Sequence, residues 1–115
     1  MLIRSQNKKY LVSTNNITFY VMDSEVICFG ISGIEDNDYI ILGHYETEAK
    51  AMKVLDMIKE AYEEYKITCT FLTGFTGHRV ITELNDIRVN GFKELLKSFK
   101  KNMVFQMPED SEVEV

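Results

Sequence analysis

Two histidines are the residues of this 115-residue chain best suited to proton transfer. His44 ends one strand-like run beside Tyr45, and His78 opens another beside Arg79. Neither histidine has a serine or cysteine nucleophile at a recognisable spacing. We therefore predict hydrogen-bonded or surface roles for both, no catalytic residue, and no enzymatic activity.

The cysteines, acids and glycines do not form a pattern that holds a metal or a cofactor. Cys28 and Cys69 lie in separate apolar runs, whereas structural zinc sites use close cysteine pairs, so both are read as buried, reduced thiols. The acids of residues 35–48 do not keep the spacing of a calcium-binding EF-hand loop. The Gly74–Gly77 turn lies between strand-like runs and predicts a hairpin, and the glycine patterns that cradle phosphates are absent. The sequence predicts neither a metal nor a cofactor.

Charge is unevenly distributed along the chain. The net charge of −5 gives no overall attraction to nucleic acid or anionic lipid. From Asp23 to Glu48 there are seven acids and no Lys or Arg. A basic helix face follows later, formed by Lys93, Lys97, Lys100 and Lys101. Such a face is typical of the solvated side of an amphipathic helix. The alternative is a nucleic-acid contact, which would be favoured if Arg4, Lys8 and Lys9 converged on the same surface.

The strongest elements predict an α+β fold. Residues 17–22, 26–31 and 39–45 are strand-like and are joined by short links, which indicates an antiparallel β-meander. Residues 48–65 repeat apolar side chains at helical spacing after the N-cap candidate Thr47. We expect this long amphipathic helix to pack on the sheet.

The other elements are shorter. The pattern of residues 2–5 predicts a strand, and that of residues 10–13 fits either a strand or a turn of helix. Residues 67–84 predict a C-terminal hairpin, and residues 91–101 a short amphipathic helix. Residues 103–107 predict a last strand that ends at a proline.

The central strand needs a cover on each face. Residues 26–31 are apolar on both faces, unlike a strand with one solvated face. The long helix covers one face, and we expect it to bury Leu55 and Ile58. The second cover is either residues 91–101 or a second copy of the chain, and we predict a homodimer.

Residues 1–108 are predicted to form a single α+β domain. Residues 109–115 are acidic and are expected to be a solvated, disordered tail. The N-terminus has no apolar signal-peptide core, and no run approaches the roughly 18 apolar residues of a membrane span. A cytoplasmic location without membrane contact is therefore expected.

Three stretches of the chain are similar to a known group of proteins. They are the opening LIRSQNKK with Leu11 and Val12, the run ILGHYETE that continues to Ile58, and the closing VFQMP. Together they resemble a family of small uncharacterised proteins of low-GC Gram-positive bacteria, often prophage- or mobile-element-associated. The resemblance covers roughly residues 2–22, 40–62 and 103–110. Residues 66–102 have no counterpart in it, which raises the question of an insertion. The resemblance implies no activity, cofactor or site residue.

These observations favour a non-enzymatic protein-interaction or structural module with a protein partner. The alternative is a small nucleic-acid-associated regulator that uses the basic helix face of residues 93–101. The placement of the basic residues in the folded chain separates the two hypotheses.

Overall fold

The computed structural model describes residues 1–30, 38–73 and 103–115, with the backbone alone at 71–73, and in addition Lys97 and Lys101. The architecture is α+β, as predicted. In chain order the elements are β1 (Leu2–Arg4), β2 (Leu11–Ser13), β3 (Thr18–Met22), β4 (Glu25–Phe29), β5 (Ile40–His44), α1 (Glu48–Thr73), β6 (Val104–Gln106) and a short 3-10 helix, η1 (Asp110–Glu112).

The predicted meander is confirmed. Strands β3, β4 and β5 pair in that order, and both pairs are antiparallel. Asp23 adopts a positive φ of 56° in the two-residue link between β3 and β4, a conformation that Asp tolerates better than most residues. The register between β4 and β5 shifts after Val26, so that Leu42 is the extra residue of a β-bulge. This bulge turns both Leu42 and Gly43 into the core, where both are buried.

The smaller sheet brings the two ends of the described chain together. Strand β1 pairs with β2 antiparallel and with β6 parallel, and Ile3 lies between Val12 and Phe105. For residues 10–13, predicted as either a strand or a turn of helix, the structure shows a strand at Leu11–Ser13. The predicted strand at 103–107 is confirmed in its central three residues.

Helix α1 begins as predicted and ends later than predicted. The backbone N–H of Lys50 donates to Thr47 Oγ1 at 3.2 Å, so Thr47 caps the helix. The helix then continues to Thr73, and the prediction of a strand from residue 67, the first arm of the hairpin 67–84, is wrong. Thr68 Oγ1 donates to the Glu64 carbonyl oxygen at 2.9 Å, which is the way a threonine fits into a helix. Helix propagation overrides the weak strand preference of these residues.

Two predicted elements lie outside the described residues. The second arm of the hairpin falls within residues 74–90, and most of the predicted helix 91–101 is also outside. Lys97 and Lys101 themselves are helical and exposed.

The core joins both sheets to one side of α1. Its members are apolar and buried, among them Ile3, Val26, Cys28, Leu42, Tyr45, Ala51, Val54 and Ile58. Ile58 is 4% exposed, as predicted, whereas Leu55 is only half-buried. The helix thus presents Val54 and Ile58 to the centre of the core and Leu55 to its edge.

The C-terminal segment differs from the expected solvated tail. Glu109 and Glu112 form a capping box around η1, and Val113 is buried in the core. Lys53 Nζ donates to the backbone oxygen of Glu114. Val113 and these polar contacts together hold the segment against α1. None of the helices that the structure describes is both long enough and apolar enough to cross a membrane.

Candidate functional site

The β3–β5 sheet has two faces of different character. The face toward α1, which we call the core face, carries Phe19, Val21, Val26 and Cys28. The opposite face, which we call the outer face, carries Tyr20, Ile27 and Ile41 in one row across the three strands, together with Thr18, Met22, Glu25, Phe29 and His44.

The outer face exposes bulky apolar side chains. Ile27 lies at its centre and is 2% exposed, while its neighbours Tyr20 and Ile41 are 53% and 43% exposed. The rings of Tyr20 and Phe29 are 6.4 Å apart and tilted by 40°, so they extend the same patch. A contiguous exposed patch of this kind is typical of a surface that binds another protein.

On the strands of the outer face, the charged and titratable residues Glu25 and His44 lie at one end. His44 Nδ1 lies 3.8 Å from Glu25 Oε2, and both groups contact solvent. Asp23 lies beside this end, and Asp38 precedes β5 at the other end; both are exposed. The apolar patch therefore has acids at both ends and no Lys or Arg on its three strands.

The two edges of this sheet also differ. Gln6, in the turn after β1, covers the edge at β5: its backbone N–H donates to the Leu42 carbonyl at 2.7 Å. Its side chain accepts from the His44 N–H at 3.0 Å and donates to the His44 carbonyl at 3.2 Å. The backbone and side-chain amides of Gln6 thus form hydrogen bonds with β5 of the kind that a neighbouring strand would form. No described residue covers the edge at β3, which pairs only with β4 in the described part of the chain.

An apolar groove runs along the open edge. It has a volume of about 330 Å³ and lies between β3 and α1. Its lining residues are Thr14, Ile17, Phe19, Leu55, Ile58, Lys59 and Tyr62. At the rim, Lys59 Nζ lies 3.9 Å from Glu63 Oε1 in an exposed ion pair. The half-buried state of Leu55 is explained by this groove.

A second cluster joins the C-terminal segment to the start of α1. Asp110 Oδ1 accepts the Glu46 N–H at 2.7 Å, and Asp110 Oδ2 lies 3.2 Å from Lys50 Nζ. The hydrogen bond from Glu46, with a further contribution from Lys50, lowers the pKa of Asp110. Asp110 thus binds both the backbone before α1 and a lysine of its first turns, and we call this cluster of Glu46, Lys50 and Asp110 a structural clasp.

The structure separates the residues that the sequence singled out as chemical candidates. Cys28 is buried, and this burial raises the pKa of its thiol to about 11, which keeps it protonated at neutral pH. Cys69 is half-buried on α1, and neither cysteine is disulfide-bonded. His44 is on the outer face, and His78 lies outside the described residues. Within the described ranges, no three His, Cys, Asp or Glu side chains are grouped as metal ligands.

The basic residues lie at different ends of the smaller sheet. Since β6 runs parallel to β1, Lys101 precedes β6 near the beginning of β1. Lys8 and Lys9 follow β1 and therefore lie beyond its other end. Lys101 lines a small cavity beside Glu64 of α1. Lys93 and Lys100 are outside the described residues, so the full basic face stays a prediction.

The site residues that sequence reasoning missed are those of the open edge. The alternation of Ile17, Phe19 and Val21 identified a buried face, but the groove beside it depends on where α1 crosses the sheet. The sequence signal available for this edge was that strand β3 carries no charged residue, which is unusual for an edge strand. No sequence signal pointed to Gln6, because its hydrogen-bond partners are 36 to 102 residues away.

No family model, no curated protein and no solved structure matches this chain. The resemblance to small prophage-associated proteins therefore stays a prediction.

Proposed function

We propose that this protein is a non-enzymatic protein-interaction module whose outer face binds a partner protein. The single observation that carries the proposal is the exposed row of Tyr20 and Ile41 on either side of the buried Ile27. Aromatic and aliphatic side chains surrounded by polar groups are the usual composition of a binding surface.

The charges around the patch define the partner's chemistry. Acids lie at both ends of the outer face, with Asp23 and Glu25 at one end and Asp38 at the other. A partner that presents apolar side chains fringed by Lys or Arg gains electrostatic complementarity. A second copy of the same face would bring acids against acids. The outer face is therefore assigned to a different protein, and nucleic acid is disfavoured by the same charges.

Selection of displayed peptides against the intact protein tests this assignment. We expect the selected sequences to combine apolar residues with Lys or Arg. Binding of a selected peptide should weaken by about tenfold or more in Ile41→Ser, because one of the exposed apolar contacts of the patch is removed.

Leu11→Ser is the matched control, since Leu11 is an exposed aliphatic residue of a different strand, β2. It should leave peptide binding unchanged. Selected sequences rich in Asp and Glu, or peptides that bind Ile41→Ser as tightly as the original protein, would contradict the proposal.

A further inference from the structure

We infer that the open edge of β3 is the homodimer interface and that it pairs with β3 of a second copy across a twofold axis. This edge adjoins the outer face, with which it shares Tyr20, whereas Ile41 lies on the opposite edge strand, β5. The dimer expected from the sequence is thus retained, but it is placed at a sheet edge and not on a sheet face.

The first argument is that none of the described residues protects the edge of β3 from pairing. Natural edge strands carry lysine, proline, a bulge or a covering segment that prevents pairing with other chains. The five residues of β3, TFYVM, include no charge and no proline, and their pairing with β4 has no bulge. The opposite edge, at β5, has a bulge and is covered by Gln6. Among the described residues, protection against pairing with another chain is present at the β5 edge and not at the β3 edge.

The second argument is the groove beside that edge. An added strand places alternate side chains on the core face, which here means next to Phe19 and below Leu55 and Tyr62 of α1. The groove of about 330 Å³ offers room for apolar side chains at this position. Backbone hydrogen bonds would supply affinity, and the groove would supply the side-chain preference.

The third argument identifies the occupant as a second copy. A twofold axis perpendicular to the sheet leaves both α1 helices on the same face. Because α1 packs over β3 and β4, and because paired strands are about 4.8 Å apart, the two helices would lie roughly 10 Å apart. That is the upper end of the usual helix-packing distance. Antiparallel pairing about Tyr20 would place Phe19 beside the partner's Val21 and would oppose no charges within the strand.

Light scattering of the intact chain over a wide concentration range is the first measurement. The mass should rise from that of one chain to that of two. Leu55→Lys should raise the dissociation constant of the dimer by about tenfold or more, because it places a charge in the groove. Ile67→Lys, on an exposed position of the same helix, should leave it unchanged. Circular dichroism confirms that both variants are folded.

A cysteine variant reports the geometry directly. Tyr20→Cys should form an intermolecular disulfide rapidly under mild oxidation, since opposed residues of antiparallel strands have Cβ atoms about 5 Å apart. Leu11→Cys, equally exposed on β2, should not. A constant monomer mass at high concentration overturns the proposal. A dimer that is insensitive to Leu55→Lys and does not cross-link through Tyr20→Cys overturns this interface, while the peptide-binding result for Ile41→Ser is judged separately.

Discussion

The hydroxyl of Tyr45 donates a hydrogen bond of 2.9 Å to the carbonyl oxygen of Pro108, which is 63 residues away in the chain. Tyr45 is fully buried just after β5, and its ring packs so close to Gly43 that a Cβ there would lie 2.8 Å from the hydroxyl oxygen. Gln6 Nε2 donates to the same carbonyl at 3.2 Å. One carbonyl oxygen thus joins the larger sheet, the turn after β1 and the C-terminal segment.

Removal of the Tyr45 hydroxyl tests this junction. We expect Tyr45→Phe to lower the free energy of unfolding by about 0.5–1.5 kcal/mol, because a buried hydrogen bond is lost while Pro108 keeps its bond from Gln6. Tyr10→Phe, at an exposed tyrosine, should change it by less than about 0.5 kcal/mol. Urea unfolding measures both. Equal effects of the two substitutions would contradict a structural role for the hydroxyl.

Truncations along α1 should reflect how deeply each residue enters the core. Ile58→Ala is expected to cost about 2–5 kcal/mol, because Ile58 is buried and its removal leaves a cavity. Leu55→Ala should cost less, since Leu55 lies at the groove and is only half-buried. Denaturant unfolding of the two variants decides the order, and a larger loss for Leu55→Ala would show that the helix face is assigned wrongly.

The two cysteines should differ in reactivity. In the native state Cys69 should react with a thiol reagent faster than Cys28, because Cys28 is buried and the pKa of its thiol is raised to about 11. Both should react after denaturation. Rapid native labelling of Cys28 would be incompatible with its place in the core.

The clasp at Asp110 should make stability depend on pH in the acid range. The pKa of Asp110 is lower in the folded chain than in the unfolded chain, so its stabilising effect is complete above the unfolded value of about 3.9 and is lost as the pH falls through the folded value. Asp110→Asn should reduce stability at neutral pH and flatten the acid part of the profile. Asp56→Asn, on the exposed side of α1, is the control. An identical acid profile for both variants would exclude the clasp.

Detection of nucleic-acid binding would favour the nucleic-acid-associated regulator over the protein-interaction module. We expect no sequence-specific DNA binding at about 150 mM salt, near physiological ionic strength, since the net charge is −5 and Lys101 lies at the opposite end of the smaller sheet from Lys8 and Lys9. A mobility shift that survives this salt concentration and disappears in Lys97→Glu would favour the regulator hypothesis.

Local patterns in the sequence determined the elements whose periodicity is strong. The three strands of the meander and the start of α1 at Thr47 follow from alternation, short turns and a capping residue, which act within a few positions along the chain. The continuation of α1 to Thr73 did not follow from residue preference, because a growing helix gains a hydrogen bond with each added residue and so overrides weak strand propensity.

Tertiary structure alone decided how the sheets are completed and where a partner could bind. The pairing of β6 with β1, the covering of the β5 edge by Gln6 and the anchoring of Val113 join residues about 40 to 100 positions apart. No spacing rule connects such residues, because a long-range contact forms only after both local elements exist and the entropy of closing the loop between them has been offset by burial. The edge of β3 and its groove belong to this second class, since they depend on which strand edge the other described residues cover and on where α1 crosses the sheet.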